Sequence, residues 1–243
     1  MNLRGRVALV TGAGHRVGRA IAVALGGRGM RVAVHYNAAS AGAEETLRAI
    51  RAAGGDGYVV SANLTEPDAP SRLIDAVIAE LGGLDVLVNS AAVMLRTPFG
   101  DTTPEQWDAI MALNHRAPFF LAQAAAPHLR AAHGVIVNIA DLAAFETWPA
   151  YLPHGISKAG VVYLTRALAR VLAPEVRVAG IAPGTVLLPD NWDKANAEHL
   201  RQTTPLERHG TPGDVTATVL FILDSDYLTG ETIIVDGGRH ARH

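Results

Sequence analysis

The stretch Val7-Ala8-Leu9-Val10-Thr11-Gly12-Ala13-Gly14-His15-Arg16-Val17-Gly18-Arg19-Ala20-Ile21-Ala22 decides how the rest of the chain is read. Val7 to Val10 is a short apolar run suited to a strand buried on both faces. Beyond the turn, Val17, Ile21, Ala24 and Leu25 recur with helical spacing. A strand, a glycine-rich turn and a helix together aim backbone N–H groups and a helix N-terminus at a pyrophosphate. Gly12 permits the tight turn, and Gly18 lets the helix close on the sheet. A glycine-rich turn alone is weak evidence. Its position at the start of a run of strand–helix units points to a dinucleotide site.

Those units continue along the chain. Strands are predicted at Arg31–Tyr36, Tyr58–Ser61, Leu84–Val88, Gly134–Ile139, Val176–Ile181 and Thr232–Val235. Helices are predicted over about Ala41–Ala53, Pro67–Leu81, Pro104–Ala131, Pro153–Leu172 and Thr211–Leu223, with Pro118 bending the long one. A short helix is expected from Asp190 to about Arg201. The strands are apolar and β-branched, as in a parallel sheet covered by helices. The expectation is one α/β domain over residues 1–243, a doubly wound parallel sheet of about seven strands.

Composition narrows the function. The chain has 243 residues, 49% of them hydrophobic, enough for one buried core. Cysteine is absent, which removes disulfide and thiolate chemistry. A net charge of −2 with scattered arginines gives no sign of nucleic-acid binding. No apolar run is long enough for a membrane span and no signal-peptide pattern opens the chain, so a cytoplasmic protein is expected. The tail Arg239-His240-Ala241-Arg242-His243 reads as solvent-exposed, and no metal is expected.

Over nearly its whole length the chain resembles the short-chain dehydrogenase/reductase family. Thr11–Gly18 is similar to the family's Thr-Gly-x-x-x-Gly-x-Gly cofactor turn, and Asn89-Ser90-Ala91-Ala92 to its Asn-Asn-Ala-Gly. Asn114 matches the helix asparagine, Pro183-Gly184 the turn after the sixth strand, and Tyr227–Gly238 the C-terminal signature. The resemblance implies a nicotinamide cofactor, hydride transfer to a carbonyl or imine of a small molecule, and a homotetramer. Cofactor contacts then fall to Gly12, Gly14, His15, Arg16, Val17, Gly18, His35, Tyr36, Asn37, Ser40, Asn63, Leu64, Asn89, Ser90, Ala91, Lys158, Pro183, Gly184 and Val186.

Arg16 stands where the family has its middle glycine, and His35-Tyr36 ends the second strand. Both features resemble the pteridine reductase subgroup. An NAD enzyme wants a carboxylate at the end of that strand to hold the ribose hydroxyls. Val34-His35-Tyr36-Asn37 offers none, while Arg16 can face a 2′-phosphate, with His35, Asn37 and Ser40 as neutral donors. NADP(H) is therefore expected.

Aligned on Lys158, the family's catalytic Ser-Tyr-Lys trio becomes Asp141, His154 and Lys158, with Asn114 as the family's fourth member. Aspartate for serine again resembles the pteridine reductases, whereas histidine for tyrosine does not. A histidine can donate the proton that must reach the substrate as hydride arrives. Three readings of His154 stay open. It is the proton donor, or a cavity-lining replacement in a catalytically silent NADPH-binding protein, or a bystander while Asp141 or water supplies the proton. Tyr151 reads as a packing residue ahead of the helix.

The segment 185–210 is expected to form a substrate lid. Substrate contacts are expected from Met94, Phe145, Leu187, Leu188 and Trp192. Pteridine reductases clamp a flat ring with an aromatic residue where this chain has Val93-Met94-Leu95, so a general ketone or 3-oxoacyl thioester stays open beside a pterin.

Overall fold

The computed structural model describes residues 1–188 and 193–242. Seven parallel strands form one sheet: β1 (Val7–Val10), β2 (Arg31–Tyr36), β3 (Asp56–Ser61), β4 (Val86–Asn89), β5 (Val135–Ile139), β6 (Arg177–Pro183) and β7 (Thr232–Val235). Their order across the sheet is β3-β2-β1-β4-β5-β6-β7. The chain therefore winds outward from β1, returns to the middle, and winds outward the other way. The reversal between β1 and β4 leaves a crevice at the carboxyl ends of these strands, the place where such sheets bind ligands.

Alternate residues of each strand serve opposite faces. Ala8, Val10, Val32, Val34, Val86 and Val88 pack with helices α1 (Arg16–Gly27), α2 (Ser40–Ala52) and α8 (Pro212–Asp224). Val7, Leu9, Ala33, Leu87 and Ile136 face α3 (Ala69–Leu81), α5 (Ala117–Ala132) and the far end of α6 (Leu152–Leu172). Two buried faces explain why the strands read as near-continuous apolar runs. The expected single α/β domain is observed, with helix and strand ends moved by a few residues.

Two corrections matter for function. The long stretch from Pro104 is three pieces: α4 (Pro104–Met111), a π-helical turn over Ala112–Arg116, and α5. Pro118, four residues after Asn114, has no N–H to return to the Asn114 carbonyl, so the α ladder gives way there. The bend thus falls ahead of the proline and presents Asn114. Second, α7 spans Lys194–Thr203 and starts from the Asp193 side chain, which accepts the Asn196 N–H at 2.7 Å. The start expected at Asp190 lies outside the described residues.

The turn after β1 is held by contacts that no side chain could share. A Cβ on Gly12, whose φ is +66°, would sit 2.9 Å from the Ala91 Cα, and one on Gly18 would collide with the Gly12 carbonyl oxygen. His35 locks the turn from the neighbouring strand. Its Nδ1 accepts the Gly12 N–H at 3.1 Å, so Nε2 carries the proton, which points to the Ala62 carbonyl at 3.0 Å. One neutral ring on β2 thereby ties together the segments following β1 and β3.

Burial drives the His35 pKa down from 6.5 to about 4, against a smaller opposing effect of the Ala62 hydrogen bond. The ring must therefore charge on unfolding at mildly acid pH but not in the fold. Its contribution is complete above pH 6.5 and disappears as pH falls through 4, an effect of about 3 kcal/mol. Urea midpoints measured from pH 7 to 4 should fall with that slope in the wild type, and His35→Gln should flatten it.

Candidate active site

A cavity of about 910 Å³ opens at the carboxyl end of the sheet. The turn residues Gly12, Gly14, His15, Arg16, Val17 and Gly18 form one end of it, and His35, Tyr36 and Asn37 form the side beyond β2. Asn63 and Leu64 follow β3, and Ser90 and Ala91 follow β4. Pro183, Gly184, Val186 and Leu187 close it beyond β6. Asp141, His154, Lys158 and Met94 line the remainder. Most of the residues expected to hold a dinucleotide thus converge from distant parts of the sequence onto one crevice.

Arg16 has φ +52°, a left-handed conformation that suits glycine, the residue this position resembles in the family pattern. Its guanidinium is exposed and reaches the Leu187 carbonyl at 3.4 Å. The Asn63 carboxamide oxygen is occupied by the Thr65 N–H and hydroxyl at 3.2 and 2.8 Å, which aims the residue across the end of β3.

His154 is the centre of the reactive end. Only 3% of its side chain is exposed. Its Nδ1 lies 3.3 Å from the Val93 carbonyl. The Asn114 amide is 3.4 Å from the same nitrogen, but its two N–H groups have shorter partners, the Val93 carbonyl at 2.9 Å and Ser157 Oγ at 3.1 Å. Nδ1 therefore carries the proton that faces Val93. On the other side of the ring, Nε2 is buried, makes no hydrogen bond, and lies 3.6 Å from the nearer Asp141 carboxylate oxygen.

Asp141 is positioned by its own turn. It caps the 3₁₀ segment Leu142–Ala144, accepting the Ala143 N–H at 2.8 Å. Lys158 is one helical turn beyond His154 on α6 and donates from Nζ to the Ile139 carbonyl at 2.8 Å. Burial pulls its ammonium down from 10.5 to about 8, and Asp141 opposes that fall.

Several expected contacts are corrected. Asn89 is buried and donates to Asn138 Oδ1 at 2.8 Å, so it braces β4 against β5 instead of facing the cavity. Asn114 is buried behind His154 and lies off the cavity wall. Its Oδ1 accepts the Val93 N–H at 2.8 Å, completing a two-way bridge to that backbone. Ser40 begins α2 outside the wall, where Ala38 and Ala39 stand instead. Both nitrogens of His35 are spent within the protein, leaving no donor for a phosphate. Phe145, just past the 3₁₀ segment, turns away and packs against His240 with ring centroids 5.6 Å apart. Leu188 lies off the wall, and Trp192 lies outside the described residues.

Some wall residues were missed. Tyr151, for which packing is the favoured reading over reaching the cleft, lines the cavity beside Trp148, their rings edge to face at 6.5 Å. Arg239 also lines it, although the tail read as solvent-exposed. The sequence signal for the tail was its closeness to the C-terminal signature, but only the return of the chain past β7 brings it to the crevice. Among the described residues no cluster suits a metal ion, and no helix is long and apolar enough to cross a membrane.

Comparison with known proteins agrees with this geometry. The family profile described as enoyl-(acyl carrier protein) reductase, of the short-chain alcohol dehydrogenase type, matches residues 12–240. The chain belongs to the short-chain dehydrogenase/reductase family. It is 37% identical over 244 residues to a Streptomyces violaceoruber protein assigned as ketoacyl reductase 2 of the granaticin polyketide synthase, covering 96% of each. It is 35% identical over 241 residues to a 3-oxoacyl-[acyl-carrier-protein] reductase of Synechocystis, covering 97% of each. Among solved structures, the angucycline C-6 ketoreductase LanV with bound NADP superposes with a TM-score of 0.92 at 31% identity, over 99% of this chain and 97% of that one.

The Asn114 bridge has a measurable weight. Asn114→Ala would leave the half-buried Val93 N–H without this partner and loosen the ring beside it, at a cost of about 1–3 kcal/mol. Equilibrium urea unfolding should show that loss; an unchanged midpoint would mean that the bridge does not form.

Proposed function

We propose that the protein is an NADPH-dependent reductase of ketones or 3-oxoacyl thioesters in which His154 is the proton donor. The observation that carries this reading is the buried, unpartnered Nε2 of His154, on the cavity wall beside a carboxylate. The family relatives named as ketoacyl and 3-oxoacyl reductases support the substrate class.

The crevice suits the cofactor. Gly12 and Gly18 leave backbone where side chains would stand, β2 ends without a carboxylate, and the exposed Arg16 guanidinium can meet a 2′-phosphate. When bound, NADPH supplies the hydride for the carbonyl carbon. Lys158, with one N–H on Ile139, has two more to offer the nicotinamide ribose. The carbonyl oxygen, as its charge grows, takes the proton from His154 Nε2. That leaves a neutral imidazole with its proton on Nδ1, facing Val93, and an alcohol as product. Asp141 lies 3.6 Å from the nitrogen that gives up this proton. Its side chain is 26% exposed, which opens a path for a solvent proton to restore Nε2.

A pterin is the weaker substrate. Arg16, His35-Tyr36 and Asp141 are shared with the pteridine reductase pattern, but the wall after β4 offers Met94 and no aromatic clamp. The homotetramer also belongs to this proposal. Phe119 and Phe120 on α5 and Ile156 and Tyr163 on α6 are exposed apolar side chains suited to a subunit contact.

Two substitutions test the reading. His154→Phe should lower kcat about 100-fold or more while NADPH binding is kept, and His154→Tyr should retain activity. NADPH binding without turnover by the wild type across a ketone and pterin panel would instead identify a silent binder. Arg16→Gly should cut the kcat/KM preference for NADPH over NADH about tenfold or more, as one charge-assisted phosphate contact is lost. Because the position already has φ +52°, Tm should not fall. An unchanged cofactor preference would remove Arg16 from the reading.

A further inference from the structure

The cavity wall also carries a charge that the reduction itself does not use. Arg239 lies there, 31% of its side chain exposed. Its ion-pair partner among the described residues is Glu146, with Nε 3.7 Å from Oε2, beyond hydrogen-bond distance. Glu146 is itself nine-tenths buried. Its Oε2 accepts the Trp148 indole N–H at 3.0 Å, and its Oε1 has no partner. One buried carboxylate therefore holds both an aromatic wall residue and the cation beside it. Trp148 in turn meets Tyr151, the next aromatic along the wall.

The segment carrying Arg239 is fixed from behind. Asp236 accepts the backbone N–H groups of Gly238 and His240 at 2.8 and 2.5 Å, and His240 packs on Phe145. A side chain set on so constrained a turn is preorganised, with guanidinium donors that no residue described here engages by hydrogen bond.

We infer that Arg239, positioned by Glu146, is a specificity residue that reads a carboxylate on an aromatic ketone substrate, whose ring lies against Trp148 and Tyr151. This rests on the reductase reading for the ketone and on its own geometry for the anion. Arginine suits a planar carboxylate because its N–H groups match the two oxygens. The Trp148–Tyr151 wall suits a flat ring. Glu146 neutralises the guanidinium in the free enzyme, yet its contact is long enough for a substrate carboxylate to compete.

The test compares 3- and 4-acetylbenzoate with their methyl esters, following NADPH oxidation by wild type and Arg239→Gln. The wild type should favour the acids. Arg239→Gln should lower kcat/KM for the acids by about 10- to 100-fold, through KM, and leave the esters unchanged. A second readout needs no turnover. Benzoate should raise the Tm of the NADP⁺-loaded wild type but not of Arg239→Gln. Glu146→Gln, which keeps an acceptor for Trp148 while removing the charge, should keep the acid preference or increase it. Acids that stabilise the wild type through Arg239 without being reduced would support the anion site and count against the reductase reading. Equal use of acids and esters, an unchanged acid KM in Arg239→Gln, or a benzoate shift absent from the wild type or retained in the variant would overturn the inference.

Discussion

The close approach of three backbone segments at the end of β1 is the constraint on which the rest depends. Gly12 lies against Ala91, Gly18 lies under the Gly12 carbonyl, and His35 takes the Gly12 N–H. Each contact excludes a side chain or spends a buried polar group on a fixed partner. The helix after the turn can then start close to the sheet, and its first N–H groups face the crevice. Arg16 occupies a left-handed position in that turn without the freedom of glycine. Such a conformation costs about 1–3 kcal/mol and persists where surroundings impose it, commonly at functional sites.

The reactive end is built by the same method, with backbone held by buried polar side chains. Asn114 is delivered by a π turn and bridges Val93 in both directions, while its amide also reaches Ser157. His154 sits against the same Val93 carbonyl, so the ring inherits the rigidity of that loop. This leaves Nε2 as the free valence of an otherwise satisfied network. The histidine at the family's tyrosine position thus places an unpartnered ring nitrogen at the cavity wall, 3.6 Å from the Asp141 carboxylate.

Much of the architecture was legible in the residues. Strand runs, helix periodicity and the Thr11–Gly18 turn are local signals, set by backbone sterics and by burial of both sheet faces. The resemblance to the family's catalytic trio singled out Asp141, His154 and Lys158 as candidates, and the fold brings all three to one cavity wall. The misreadings share a different cause. Asn89 and Ser40 were read as facing a ligand, and His35 as a phosphate donor, because of where they fall along the chain. Where His35 and Asn89 spend their hydrogen bonds depends on neighbours, Ala62 and Asn138, that lie far away in sequence. Phe145 and Tyr151 exchanged roles for a similar reason: a short capped turn decides which side of the loop meets the cavity.

The amino-acid sequence by itself determined the doubly wound fold, the family, the glycine turn without an acidic partner at the end of β2, and the histidine at the family's tyrosine position. These depend on local pattern and residue chemistry. Only the tertiary structure decided that Asn114 bridges the Val93 backbone off the cavity wall, that His154 has one ring nitrogen against Val93 and one without a partner, and that Arg239 returns from the tail to the wall that carries Trp148. Those facts depend on which distant groups meet after packing, and hydrogen-bond partners across a folded core have no counterpart in sequence spacing.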